Sequence, residues 1–202
     1  MQSIQEFFVE YINNPIIATL FIAILPIFEL RGAIPFGMST ALWGAKALEM
    51  GTAFLVGFIG SSVVVPIVAL AFKPILEWLK RTKIFNKFAI YIEDRVKDKS
   101  SQVSNKTTRW KKMIGLAVFV AIPLPLTGVY TGTMIGVIAG LTFSDILISV
   151  ISGNLIAGII ITMLSSISDN AANWILIIFI ISIFAIMLIS LIKRVIYRHK
   201  AS

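Results

Sequence analysis

The sequence predicts an all-α integral membrane protein. Its expected architecture is an inverted repeat of two re-entrant helical hairpins, each followed by a transmembrane helix, with one further C-terminal transmembrane helix. Three observations predict it. Of 202 residues, 57% are hydrophobic and only 14% charged, more apolar surface than a soluble core of this length can hide. The charge is gathered into blocks between apolar stretches. The apolar sequence includes two pairs of half-length arms, each pair folded about a Pro/Gly-rich break.

The elements follow in order. In residues 4–12, Ile4, Phe7, Phe8, Tyr11 and Ile12 lie opposite Gln5, Glu6 and Glu10 at helical spacing, which suits an interfacial helix. Glu6 and Glu10 without a basic residue make a poor signal-peptide start. Asn13-Asn14-Pro15 ends this element. The apolar stretches Ile16–Phe28 and Phe36–Leu48 are each shorter than the roughly 17–25 residues a spanning helix needs. Between them stands Pro26-Ile27-Phe28-Glu29-Leu30-Arg31-Gly32-Ala33-Ile34-Pro35, and Thr52–Phe72 is then long enough to cross.

Residues 73–112 hold twelve Lys and Arg against Glu77, Glu93, Asp94 and Asp98, and the tail adds Lys193, Arg194, Arg198 and Lys200. The positive-inside rule places both in the cytoplasm of a multi-pass protein of the bacterial inner membrane. Ile84, Phe85, Phe88, Ile92 and Val96 recur at helical spacing among the lysines, as in an amphipathic interfacial helix, and Lys99–Lys106 reads as a loop.

The pattern then repeats. Met113–Ile122 is a short arm, Pro123-Leu124-Pro125-Leu126-Thr127-Gly128 a second break, and Val129–Phe143 another short arm carrying Gly132, Gly136 and Gly140. Ile146–Ser165 and Trp174–Ile192 can each cross. The expected organisation is a single membrane domain: an interfacial helix over 1–14, half-repeats over 15–72 and 113–165, the basic segment 73–112 between them, and a last helix with its tail over 166–202. Gly60-Ser61 and Gly153-Asn154 fall at matching depths in the two halves. Two tight full crossings would leave every loop on the same side as a re-entrant pair, and only arm length and break composition favour re-entry.

Charge at mid-bilayer depth costs about 3 kcal/mol on insertion scales, so Glu29 and Arg31 read first as a substrate or proton site. Paired, interrupted helices in two inverted halves point to a secondary transporter with its site between the breaks. The candidate site is Glu29 as proton carrier and Arg31 as anion contact, with Gly32 and Pro35. From the second break it takes Pro123, Pro125, Thr127, Gly128 and Thr131, with Tyr130 beside them, as a cradle of amides and hydroxyls. The competing reading is a mutually neutralising structural pair with backbone partners at the hairpin tip. Gly132, Gly136 and Gly140 suit helix packing. Asn154 is either a substrate ligand or an interhelical hydrogen bond, and Asp145 and Lys46 are interfacial anchors.

Other classes are disfavoured. The chain has no cysteine and one histidine, His199 in the tail, so neither thiol chemistry nor a histidine metal centre is expected, and no cofactor is implied. With no nucleophile–base pair or paired carboxylates an enzyme is not expected. The basic blocks flank apolar segments, which argues for membrane lipids and against nucleic acid as partners. The expected partners are lipids, a small amphiphilic or lipid substrate and protons, and a homo-oligomer is compatible with the sequence. A non-transporting scaffold that organises lipids or a partner complex is the alternative.

Phe28-Glu29-Leu30-Arg31-Gly32-Ala33-Ile34-Pro35-Phe36-Gly37 and Ala121-Ile122-Pro123-Leu124-Pro125-Leu126-Thr127-Gly128-Val129-Tyr130-Thr131-Gly132 resemble the two signatures of the bacterial small multidrug export protein family. That family is distantly similar to the DedA/VTT membrane proteins, which have paired re-entrant hairpins and are associated with moving lipids, including polyprenyl phosphates. The resemblance implies a transporter-like fold with Glu29 and Arg31 at the first hairpin tip, and export or lipid translocation as the activity.

Overall fold

The computed structural model describes residues 14–80, 105–124 and 127–167, together with the isolated positions 177, 178 and 181. Among these are seven α-helices and no strand: α1 (Pro15–Ile24), α2 (Glu29–Met38), α3 (Thr40–Trp43), α4 (Met50–Lys80), α5 (Asn105–Ala121), α6 (Val129–Ile138) and α7 (Phe143–Ser165). The N-terminal interfacial helix, the amphipathic stretch at 84–96 and nearly all of the last helix and tail lie outside the described residues.

Helix starts and stops follow local chemistry. Asn14 caps α1, its side chain accepting from the N–H of Ile16 at 2.9 Å and of Ile17 at 3.4 Å, with Pro15 in the first turn where no N–H is needed. At ten residues apiece, α1 and α2 each rise about 15 Å, half the hydrocarbon thickness of a bilayer. The gap between them is narrower than the sequence predicts. Only Leu25–Phe28 is non-helical, and Gly32 and Pro35 sit inside α2, buried. Proline is tolerated there because its neighbours are protein, and its ring costs the helix one hydrogen bond without ending it.

α4 runs unbroken through Pro66 and Pro74 to Lys80. α5 begins at Asn105, so Asn105 and Lys106, the end of the stretch read as a loop, and the basic residues up to Lys112 form its first two turns, while 99–104 lie outside the described residues. α6 ends in a Schellman motif: Leu141 N–H donates to Gly136 O and Gly140 N–H to Val137 O, both at 3.1 Å. Gly140 has φ +71° with nothing near its absent Cβ, so it is a left-handed helix stop where a packing contact was expected. Thr142 then opens α7 in a capping box with Asp145.

Two helices, Met50–Phe72 within α4 and Phe143–Ser165, are long and apolar enough to cross a membrane. Burial is inverted relative to a soluble protein. Ile59, Ile67 and Leu70 on α4 and Ile148 and Met163 on α7 are exposed, while Glu29, Arg31, Ser61, Thr133, Asp145, Ser149 and Asn154 are buried. Lipid gives apolar helices no reason to associate, so close packing at small residues must hold them. On α4, Gly60 lets Leu20 and Ala23 of α1 approach; on α7, Gly153 lets Ala117 and Val120 of α5 approach. Gly132 and Gly136 admit Val120, Leu116 and Ile146 in the same way, as their four-residue spacing predicts.

α1, α2 and α4 pack on one another, as do α5, α6 and α7. Between these units α4 meets both α6 and α7, and α2 meets α7. Exchanging α1 with α5, α2 with α6 and α4 with α7 maps the pattern onto itself. Where the two long helices cross, Asn154 Nδ2 donates to Ser61 Oγ at 2.8 Å and Ser62 Oγ at 3.2 Å. Of the two sequence readings for Asn154, this is the interhelical hydrogen bond.

Candidate functional site

The two helix breaks meet at one ion pair. Glu29 opens α2 with φ +48°, a left-handed conformation that costs a non-glycine residue about 1–2 kcal/mol. Side chains two apart on a helix diverge, but the left-handed turn at Glu29 brings its carboxylate back to Arg31, whose Nη1 donates to Oε2 at 2.8 Å. Both are almost fully enclosed, with relative exposures of 4% and 2%.

The partners of the pair come from the second break. Glu29 Oε2 accepts from Val129 N–H at 3.0 Å and Oε1 from Tyr130 N–H at 3.3 Å. These are the first two amides of α6, which have no partner within their own helix. Gly128, the residue preceding α6, provides no side-chain cap, and a Cβ there would overlap the Glu29 carboxylate. Glu29 is therefore the N-cap of α6 supplied from another helix, and its charge matches the positive end of the α6 dipole.

Arg31 does the complementary work. Its Nη2 donates to Val120 O at 2.6 Å, Thr127 O at 3.3 Å and Ile122 O at 3.5 Å. Val120 and Ile122 stand at the end of α5, whose last carbonyls lack helical donors, and the cation suits that dipole end. Arg31 Nε is buried without a hydrogen-bond partner among the described residues. Reciprocally, the Tyr130 hydroxyl donates to Ile24 O at the end of α1. Each break thus caps helices belonging to the other.

The remaining sequence candidates divide. Thr127 turns its hydroxyl back onto Ile122 O and Leu124 O at 2.8 and 2.9 Å, bracing the break. Pro123 follows α5, half-buried, and Thr131 is half-buried in the first turn of α6. Gly32 packs against Phe28, where a Cβ would come within 2.8 Å of Cδ1. Pro35 is buried one turn further along α2. Pro125 lies outside the described residues.

Sequence reasoning missed the backbone groups that complete the site: the carbonyls of Val120 and Ile122 and the amide of Val129. A helix ending at a proline leaves free carbonyls, so Pro123 was the available signal. It also missed a second cluster. Arg109 on α5 forms a two-pronged bond to Asp145, Nε to Oδ2 at 2.8 Å and Nη2 to Oδ1 at 2.6 Å, and Lys112 Nζ donates to Ala139 O at 2.9 Å. Asp145 and part of the basic block therefore tie α5 to the α6–α7 connection, a role beyond interfacial anchoring and orientation.

No curated protein and no solved structure matches the chain significantly. A family model described as "Putative small multi-drug export protein" matches residues 29–160, beginning at the buried glutamate and spanning α2, the second break and most of α7. That description is of a transporter in general, and with two apolar helices long enough to cross a bilayer it marks a membrane protein. With more than half of its length matched, the chain belongs to this small multi-drug export protein family.

Proposed function

We propose that the protein is a proton-coupled transporter that moves an amphiphilic or lipid-like substrate across the bacterial inner membrane. One observation carries the reading: an enclosed carboxylate–guanidinium pair joins two helix breaks in an apolar protein. Structure alone rarely pays for charge at such a place, whereas substrate and proton pathways require it. Glu29 is the proton carrier. Protonation removes the charge that holds Arg31 and the α6 amides, which frees the two breaks to part. The two three-helix units are then the inverted halves of an alternating-access device, their short arms re-entrant and their ends carrying the lysines cytoplasmic.

The experiment is pH-driven flux in proteoliposomes with Glu29→Gln. The variant should fold and lose the pH dependence of transport; full pH-driven flux in it would sink the proton-coupled reading. Single cysteines in place of Ile27 and Leu124, exposed at the two breaks, test the topology in a chain without native cysteine. A membrane-impermeant thiol reagent should reach the two from opposite faces if the hairpins are opposed.

One observation favours the scaffold reading instead. Both Glu29 oxygens already have partners within the chain, as a purely structural cap would. A scaffold would tolerate Glu29→Gln with its partner complex intact and would show no flux for either protein.

A further inference from the structure

The place that the Glu29 carboxylate fills has the makings of an anion site. Three donors converge on it: the amides of Val129 and Tyr130 and Nη1 of Arg31. A helix N-terminus and a guanidinium form a donor set suited to an oxyanion. The space is kept open by Gly128, whose missing Cβ would intrude on the carboxylate. The guanidinium, 2% exposed, has a further donor to give, since its buried Nε–H has no acceptor among the described residues.

We infer that Glu29 is an internal plug in a binding site for the anionic headgroup of the substrate, a sulfonate-, phosphate- or carboxylate-like oxyanion held by Arg31 and the first two amides of α6. The inference deepens the transport reading and rests on it. A proton from water adds to the Glu29 carboxylate, the neutral acid withdraws, and one substrate anion takes its place. The site is neutral before, as carboxylate plus guanidinium, and neutral after, as acid, guanidinium and anion. A monoanion and a proton therefore enter together without net charge.

Among the described residues, Arg31 is the charge acting on Glu29, and Tyr130 is the other titratable group beside it. α1 has no ionisable residue, α6 has Tyr130 alone, and Asp145 of α7 is paired with Arg109. The ionisable residues of α4 are Lys73, Glu77 and Lys80 in its last turns, and those of α5 are Lys106, Arg109, Lys111 and Lys112 in its first half.

The test is equilibrium binding to the full chain in nanodiscs of zwitterionic lipid. Octanesulfonate is the probe because its charge does not change between about pH 5.5 and about pH 7.5, so only the protein titrates. Wild type should bind it about tenfold or more tighter at the lower pH. Glu29→Gln should bind at the higher pH as tightly as acidified wild type, and Arg31→Gln should lose binding. Gly128→Ala should lose it as well, because the methyl group occupies the anion's place. Inorganic sulfate separates sources: equal affinity means a free anion is the ligand, and octanesulfonate alone means an amphiphile headgroup, both supporting the site. An affinity unchanged with pH in wild type overturns it, whether or not Glu29→Gln folds. So does octyltrimethylammonium binding that Glu29→Gln abolishes, since the carboxylate would then be the ligand contact. Flux that loses its pH dependence in Glu29→Gln while sulfonate affinity stays put removes the anion site and leaves proton-coupled transport standing. The expected binding with pH-driven flux intact in the variant removes the proton coupling and keeps a pH-gated anion site.

Discussion

Gly128 and Glu29 compete for one volume: the Cβ that Gly128 lacks would fall within the Glu29 carboxylate. The backbone of Gly128, at φ −81° and ψ −163°, is one that alanine adopts without strain. The glycine is therefore required by its neighbour across the break and not by its own conformation. Gly128→Ala should displace the carboxylate and destabilise the protein by about 2–3 kcal/mol, the range for loss of a buried hydrogen-bonded charge. In a Glu29→Ala background the same change should cost little, giving a coupling of about 1–3 kcal/mol in a double-mutant cycle followed by denaturation in detergent. Additive costs would mean that the two side chains do not share that space.

Arg31 should not tolerate lysine. Its two terminal nitrogens divide the work, Nη1 to the glutamate and Nη2 to carbonyls at the end of α5 and at Thr127. A single ammonium on a flexible stem cannot reproduce that fork. Arg31→Lys should loosen the second break, read as faster hydrogen exchange at the Val129 and Tyr130 amides. Arg31→Met should be worse, by about 3–5 kcal/mol, because it leaves the buried Glu29 charged with no counter-charge beyond the α6 amides. Adding Glu29→Met should recover much of that loss in stability while leaving transport absent. Recovery of transport as well would make the pair structural only.

These residues also mark what the sequence could reveal. Charge with proline located the first break, because burying charge is costly whatever the fold, and the paired prolines with Gly128 located the second. The half-length arm Ile16–Phe28 predicted α1, but α2 covers most of the stretch read as a break, and of the α-helices the arm Phe36–Leu48 holds only the end of α2 and the short α3. The four-residue glycine spacing predicted contacts at Gly132 and Gly136. The extent of the first break was not legible. Gly32 and Pro35 look like helix breakers in isolation, and only the packing around α2 keeps them helical. Nor could sequence spacing foretell that Glu29 serves α6, since its partners lie a hundred residues away and are backbone amides common to every residue but proline.

Gly153, at the α5–α7 contact, and Gly115, on the exposed side of α5, make a controlled comparison. A Cβ at Gly153 would collide with the Ala117 carbonyl, which is backbone and cannot swing aside, while a Cβ at Gly115 meets nothing within 4 Å. Gly153→Ala should force the helices apart and lower the melting temperature of the detergent-solubilised protein. Gly115→Ala should raise it slightly, gaining up to about 1 kcal/mol of helix propensity. Asn154→Ala, which removes only the bond to Ser61 and Ser62, should fall near the 0.6 kcal/mol typical of interhelical hydrogen bonds in membranes. A ranking with Asn154 above Gly153 would mean that polar contacts and not close packing hold the long helices together.

Arg109 and Asp145 provide the last prediction, at the far end of α5 from the buried pair. Asp145 does two jobs. Its backbone and side chain complete the capping box with Thr142, and both carboxylate oxygens accept from Arg109. Asparagine can keep the first job but loses the charge for the second. Arg109→Ala in the wild type should therefore lower the melting temperature and raise protease sensitivity at the α6–α7 connection, where Lys112 also holds Ala139. In an Asp145→Asn background the same substitution should change little, because the cation has already lost its partner. Arg109→Lys should fall between, since an ammonium cannot make both bonds at once. Equal losses in both backgrounds would show that Arg109 acts elsewhere, on lipid headgroups, and not through Asp145.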